Sequence, residues 1–224
     1  MFERTISLVG VANFEKIQTK TVLIVGLGGV GGYTTESLVR SGIKNLILID
    51  HDKIDITNLN RQIISNSNNI GNDKVDEFKK RILEINPECN VITHKLFLDR
   101  TNYSILDNYQ IDYIVDCCDS TDTKKLLIDY SLNKNVKLIS SMGTANKLDP
   151  TKLQITDIRK TSYDPLAKIL RKYVNDLKTN KKIMVVSSTE QPQKRECLST
   201  LIFVPATAGL LCANYIINDI IKSE

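Results

Sequence analysis

Along the first part of the chain, short apolar runs alternate with helical stripes. Val22–Val25, Leu46–Ile49, Val91–His94, Tyr113–Val115 and Leu138–Ser140 are short, rich in β-branched residues and bounded by polar or turn residues, which predicts strands. Between them the spacing predicts helices over Val30–Ser41, Lys74–Ile85 and Asp122–Asn133. In the second of these, Val75, Phe78, Ile82 and Ile85 fall on one stripe, and the first ends on Arg40 and Gly42, as helix C-termini do. Regular strand–helix alternation implies an α/β fold: a Rossmann-like, doubly wound, mainly parallel sheet with helices on both faces.

After Asp149-Pro150 the rhythm changes. Leu153–Ile158 reads as a strand of a different unit, and Asp164-Pro165 as a helix start. The helix that follows sets Leu166, Ile169, Leu170, Tyr173, Val174 and Leu177 at core spacing, with Lys168, Arg171, Lys172 and Asn175 opposite. Met184–Ser187 reads as another strand, residues 188–200 as loop, and the stretch from Pro205 as a largely apolar helix that packs into the core. The expectation is one domain, with a nucleotide-binding core over residues 1–146 and a C-terminal extension over 147–224 that completes the fold.

The 224 residues suffice for one substantial core. The net charge of +4 is too small to imply nucleic-acid binding, but it is unevenly spread. Residues 147–182 hold ten Lys or Arg against four Asp, a local +6, which leaves −2 for the rest. The five cysteines form no C-x-x-C pair, which argues against structural zinc and fits a reducing cytoplasm. MFERTISLVG carries acid and base early, unlike a signal peptide, and no apolar run reaches a membrane span. The nearest, LIFVPATAGLLCANYII, is interrupted by Pro205, Gly209 and Asn214, so no membrane association is expected.

The chemistry is concentrated between Thr21 and Gln62. Gly26, Gly28 and Gly31 satisfy G-x-G-x-x-G after a predicted strand and at the opening of a predicted helix. Such a turn lets backbone approach phosphate oxygens, and the helix N-terminus offers free N–H groups and a positive dipole. Asp50 ends the next strand, where a carboxylate accepts from ribose hydroxyls. These features alone fit a dinucleotide dehydrogenase equally well. Arg61 and Lys74 shift the balance, because attack on the α-phosphate of ATP sends charge onto departing pyrophosphate and needs cations there. Gly29, Asp52, Asn58 and Gln62, interleaved with these, count among the nucleotide-binding candidates. Asp119, just past a strand, is a candidate Mg²⁺ ligand; its competing reading is a helix cap ahead of Ser120 and Thr121. Lys168, Arg171 and Lys172, with Arg159 and Lys160 nearby, are candidates for RNA phosphates, against the ordinary reading of a solvated charged face. Cys197 lies in a polar loop with no neighbouring base and reads as incidental.

The motifs GLGGVG, LIDHDKIDITNLNRQ, GNDKV and VDCCDS, in this order, resemble the ThiF/MoeB/HesA adenylating enzymes. SSMGTANKLDPTKLQITDIRKT, DPLAKILRKY, VSSTE and FVPATAGL are similar to the tRNA threonylcarbamoyladenosine dehydratase branch of that superfamily. The resemblance implies ATP and Mg²⁺ as cofactors, Asp50 on ribose, Arg61 and Lys74 on the triphosphate and Asp119 on magnesium. Arg4 would be the N-terminal arginine that reaches a neighbouring subunit's ATP, which implies a homodimer. The implied reaction activates the carboxylate of threonylcarbamoyladenosine, beside the tRNA anticodon, and closes it into a ring. The implied partners are the modified tRNA and a cysteine-desulfurase or sulfur-acceptor system. Two other readings stand beside it: an adenylyltransferase for a ubiquitin-like sulfur carrier, and a non-catalytic nucleotide-binding Rossmann protein.

Overall fold

The structure, a computed structural model, describes residues 1–223. Its centre is one seven-stranded sheet in the order β3-β2-β1-β4-β5-β7-β6. The strands are β1 (Thr21–Val25), β2 (Asn45–Ile49), β3 (Asn90–His94), β4 (Tyr113–Asp116), β5 (Lys137–Ser141), β6 (Leu153–Asp157) and β7 (Met184–Ser188). All pairings are parallel except β6 on β7.

Alternation along the strands explains the layers, since successive side chains point to opposite faces. On β1, Val22 and Ile24 join one apolar cluster and Leu23 and Val25 the other. The first cluster is completed by α2 (Val11–Thr19), α3 (Gly31–Arg40), α4 (Lys74–Ile85) and α7 (Phe203–Lys222) through Ile17, Leu38, Phe78 and Ile216. The second is completed by α5 (Thr121–Lys134) and α6 (Pro165–Asp176) through Leu127, Leu170 and Val174. Each such side chain contributes about 1.5–3 kcal/mol by burial.

Four results refine the sequence reading. Leu153–Asp157 is not a strand of a separate unit: it pairs antiparallel with β7 in register from Leu153↔Ser188 to Asp157↔Met184 and forms the edge of the same sheet. Strand periodicity reports local extension and carries no information on which sheet a strand joins. Two N-terminal helices, α1 (Glu3–Val9) and α2, precede β1, with Gly10 at φ +84° between them. On α6 only Ala167, Leu170 and Val174 are fully buried, while Ile169 and Leu177 are exposed. Finally, α7 is long and apolar enough by composition to cross a membrane, yet it packs on α3 so closely that a Cβ on Gly209 would lie 2.3 Å from the Val30 carbonyl oxygen.

Candidate active site

The strand order reverses between β1 and β4, and the loops after both strands meet there. This is the position at which open α/β sheets bind ligands. Gly26, at φ +88°, turns the chain out of β1; a Cβ on it would sit 2.8 Å from the backbone of Cys117 and Cys118, in the loop after β4. Gly31 opens α3 against the same turn, and a Cβ there would lie 1.8 Å from the Gly26 carbonyl oxygen. Both positions therefore require glycine.

Asp50, only 7% exposed, braces this turn. Its Oδ2 accepts from Leu27 N at 2.6 Å and its Oδ1 from Asp52 N at 2.8 Å. A carboxylate offers about four acceptor positions, so capacity for a ribose hydroxyl remains. Asp52 in turn accepts from Lys74 Nζ at 2.8 Å, and His51 Nε2 lies 3.3 Å from its other oxygen. The Lys74 side chain is 4% exposed, so its ammonium is held at a fixed point at the start of α4.

The segment after β2 folds back over the glycines. Asp55 and Asn58 form a capping box on a short 3-10 turn: Asp55 Oδ1 accepts from Thr57 N, and Asn58 Oδ1 accepts from Asp55 N at 3.1 Å. This delivers Arg61 and Gln62 to the glycine turn. The Arg61 stem lies against Gly29, where a Cβ would stand 3.4 Å from Arg61 Cγ, and its Nη1 donates to Thr57 O and Asn60 Oδ1. Gln62 is 6% exposed, and its Nε2 lies 3.8 Å from where a Cβ on Gly28 would be. Its Oε1 is buried with no hydrogen-bond partner. A buried acceptor without a partner is costly and calls for a donor, while the Nε2 that faces Gly28 is the atom able to donate to a phosphate oxygen.

Asp119 follows β4 at the same edge. Ser120, not Asp119, caps α5, its Oγ accepting from Thr123 N, so the exposed Asp119 carboxylate is not consumed by the cap. A hard oxygen donor of this kind suits Mg²⁺. Asp50, Arg61 and Gln62 thus meet the turn of Gly26, Gly28, Gly29 and Gly31; Asp52 and Lys74 are joined to it through Asp50, Asn58 braces the turn that carries Arg61, and Asp119 lies on the loop from β4. Arg4 is exposed on α1, which packs on α2.

Sequence reasoning missed what lies beneath the site. Lys124 and Asp116 form an ion pair with both side chains 0% exposed. Lys124 Nζ donates to Asp116 Oδ1 at 3.0 Å, Ser140 Oγ at 3.2 Å and Ser141 O at 2.8 Å. Asp116 also accepts from Cys118 N and Sγ, which ties the loop carrying Asp119 to the sheet. Burial, aided by the Asp116 charge, pushes the Cys118 thiol well up, so it stays protonated and is no nucleophile. The available signal was an acid closing a strand eight residues ahead of a lysine in the first turn of the next helix. Several cations of the basic segment are likewise engaged by the chain itself. Lys147 is buried, donating to Gly143 O and to Asp164, which caps α6. Arg159 pairs with Asp157 and donates to Thr179 O, and Arg171 donates to Thr161 O. Lys160, Lys168 and Lys172 are exposed.

A doubly wound sheet whose switch point holds glycines, two cations and carboxylates defines a nucleotide-binding α/β protein. The chain belongs to the ThiF family, whose profile matches residues 2–223. It is 37% identical to the tRNA threonylcarbamoyladenosine dehydratase of Bacillus subtilis, over 99% of this chain and 94% of that protein. The Escherichia coli tRNA N6-threonylcarbamoyladenosine dehydratase TcdA in complex with ATP superposes with a TM-score of 0.92 at 32% identity, covering 98% of this chain and 93% of that one. Similarity to the adenylyltransferase and sulfurtransferase UBA4 of Vanderwaltozyma polyspora is narrower: 33% identity over 62% of this chain and 31% of that protein. The protein is a ThiF-family adenylating enzyme.

Proposed function

We propose that this enzyme activates the carboxylate of threonylcarbamoyladenosine in tRNA with ATP and closes it into a ring. The observation that carries the ATP half is the packing of Arg61 and Gln62 on the glycine turn at the sheet's switch point, with Lys74 linked to that turn through Asp52 and Asp50. Similarity to a dehydratase along 99% of this chain, against 62% for the carrier-activating relative, supports the RNA half.

In this reading the triphosphate lies on the glycine turn and the α3 N-terminus, with the ribose on Asp50. An oxygen of the substrate carboxylate attacks the α-phosphorus, and the bond to the β-phosphate oxygen breaks to release pyrophosphate. Arg61, oriented by Thr57 and Asn60, and Lys74 neutralise that departing charge. Lys74 meets the phosphates from its pair with Asp52, exchanging a carboxylate for a phosphate oxygen with little net desolvation. A nitrogen or oxygen of the same nucleoside then attacks the acyl carbon of the mixed anhydride, loses its proton and expels AMP. No enzyme thiol is needed; orientation and exclusion of water suffice. Asp119 would hold Mg²⁺, which when bound supplies positive charge to the polyphosphate. The exposed Lys160, Lys168 and Lys172 would meet tRNA phosphates. Arg4, on an α1 with no buried residue, would complete the site of a second copy in a homodimer.

The test is nucleoside analysis of tRNA bearing threonylcarbamoyladenosine after incubation with enzyme and ATP. The reading expects a product lighter by one water, lost on omission of ATP and in Asp119→Ala, Arg61→Ala and Lys74→Ala. Normal turnover in the last two variants would reject the ATP assignment. ATP–pyrophosphate exchange stimulated by a Gly-Gly-ended carrier protein and not by modified tRNA would select the carrier-activating reading instead.

A further inference from the structure

Tyr163 has a backbone conformation that its fold position explains and a side chain that it does not. The residue sits at φ +57°, in the left-handed region where glycine is at home and a bulky aromatic is an outlier. Both neighbouring segments are pinned. Arg171 Nη1 donates to Thr161 O at 2.6 Å and to Thr161 Oγ1 at 2.7 Å. Asp164 accepts from Lys147 at 3.0 Å and from Ala167 N at 2.9 Å, and it crowds Gly143, where a Cβ would come within 3.0 Å of its Oδ2. The chain between these anchors must turn sharply, so the left-handed residue is imposed. Glycine would turn it at lower cost. The ring recovers little by packing, because Tyr163 is 62% exposed. A strained aromatic held out in solvent is a feature that folding stability does not account for, and such residues cluster at functional sites.

Its place in the fold is specific. The α5 and α6 helices lie side by side, with Tyr173 OH donating to Asp129, and both begin at the carboxyl edge of the sheet. Asp164, the residue after Tyr163, touches Gly143 just past the end of β5. Tyr163 therefore stands at the same sheet edge as the glycine turn and the Asp119 loop. Exposed lysines bracket it in sequence: Lys160 before it, and Lys168 and Lys172 one turn apart on α6 after it. An exposed aromatic among cations suits single-stranded nucleic acid, whose unpaired bases stack on rings while lysines take the phosphates.

We infer that Tyr163 is a stacking platform for an unpaired base of the RNA, flanking the modified adenosine presented to the nucleotide site. This rests on the proposed RNA substrate. Binding of tRNA carrying threonylcarbamoyladenosine is measured for the parent protein and for Tyr163→Ala, Tyr163→Gly and Tyr163→Phe, with turnover, ATP binding and unfolding midpoint alongside. Loss of one stacked base weakens RNA binding about tenfold in the Ala and Gly variants, and Phe stays within about twofold of the parent. The KM for RNA rises while ATP affinity holds. The salt dependence of RNA binding is unchanged in these variants but shallower in Lys168→Ala/Lys172→Ala, which separates stacking from phosphate contacts. Tyr163→Gly also unfolds at the same temperature as the parent or higher, because the strain is relieved. If Ala and Gly bind RNA as the parent does while the parent converts it, this inference is overturned and the proposed function stands. If Gly weakens binding and also lowers the unfolding midpoint, the ring is a packing residue and the inference falls. If the parent converts no modified tRNA, the functional reading fails and this one with it.

Discussion

Lys124→Met tests whether the buried pair beneath the site is a structural keystone. Methionine keeps much of the stem's volume and removes the ammonium, leaving the Asp116 carboxylate fully buried and without its cation. It also deprives Ser141 O of its 2.8 Å donor. Stranding one charge of a buried pair costs about 3–5 kcal/mol. Against a total stability of roughly 5–15 kcal/mol that is a large fraction. For a chain of this size it lowers the unfolding midpoint by about 6–20 °C. Thermal and urea unfolding at neutral pH measure it directly. Burial alone would lower the Lys124 pKa, but the charge and hydrogen bonds of Asp116 outweigh it and raise the pKa above the ordinary 10.5. A group with a raised folded pKa contributes its stability in full below the unfolded value, so the deficit stays flat from neutral pH up to 10.5. The double variant Lys124→Met/Asp116→Leu removes both charges and recovers part of the loss; Ser141 O and Cys118 N still lack their partners. A single variant within about 1 kcal/mol of the parent would refute the assignment, because surface pairs reach that value without burial.

Two further predictions concern the frame around the site. Gly31→Ala places a methyl 1.8 Å from the Gly26 carbonyl oxygen; overpacking of this kind costs about 1–3 kcal/mol, and the displaced turn loses ATP binding in a calorimetric titration. Glu36 on α3 is gripped by Arg40 at 2.6 Å and by both Nε and Nη2 of Arg81 on α4. Burial would raise its carboxyl, but the hydrogen bonds from Arg81 and Arg40 outweigh it and hold the pKa below the usual 4.5. The stability this adds is present above 4.5 and is lost as pH falls through the depressed value. Glu36→Gln is therefore less stable than the parent at neutral pH and converges with it in strong acid. A gap that is constant across an unfolding series from neutral to strongly acidic pH would contradict this.

Elements whose local pattern matches their burial were readable from sequence. α4 begins at Lys74 and ends at Ile85 as its stripe predicts, and β1 and β2 follow from β-branched runs flanked by polar residues. What was not readable depends on partners far along the chain. β6 is locally a strand, but its place at the edge of the main sheet is fixed by β7, some thirty residues later. α1 buries no residue and so presents no stripe to detect. The tight turn was legible because its glycine spacing follows a strand and opens a helix, and the structure shows that Gly26 and Gly31 admit no Cβ. Lys124 was not, because a lysine in a helix reads as surface unless its carboxylate is known to lie opposite. The basic segment shows the same limit: charge counting cannot separate Lys147, paired with Asp164, from Lys168, which faces solvent.

The central claim is that ATP activates the nucleoside carboxylate at its α-phosphate. Modified tRNA labelled with heavy oxygen in the threonyl carboxylate, incubated with enzyme and ATP, tests it directly by mass analysis of the nucleotide released. If the carboxylate attacks the α-phosphorus, ring closure leaves one of its oxygens on AMP, so AMP carries the label in step with cyclic product. Unlabelled AMP, or labelled phosphate accompanied by ADP, would contradict the account.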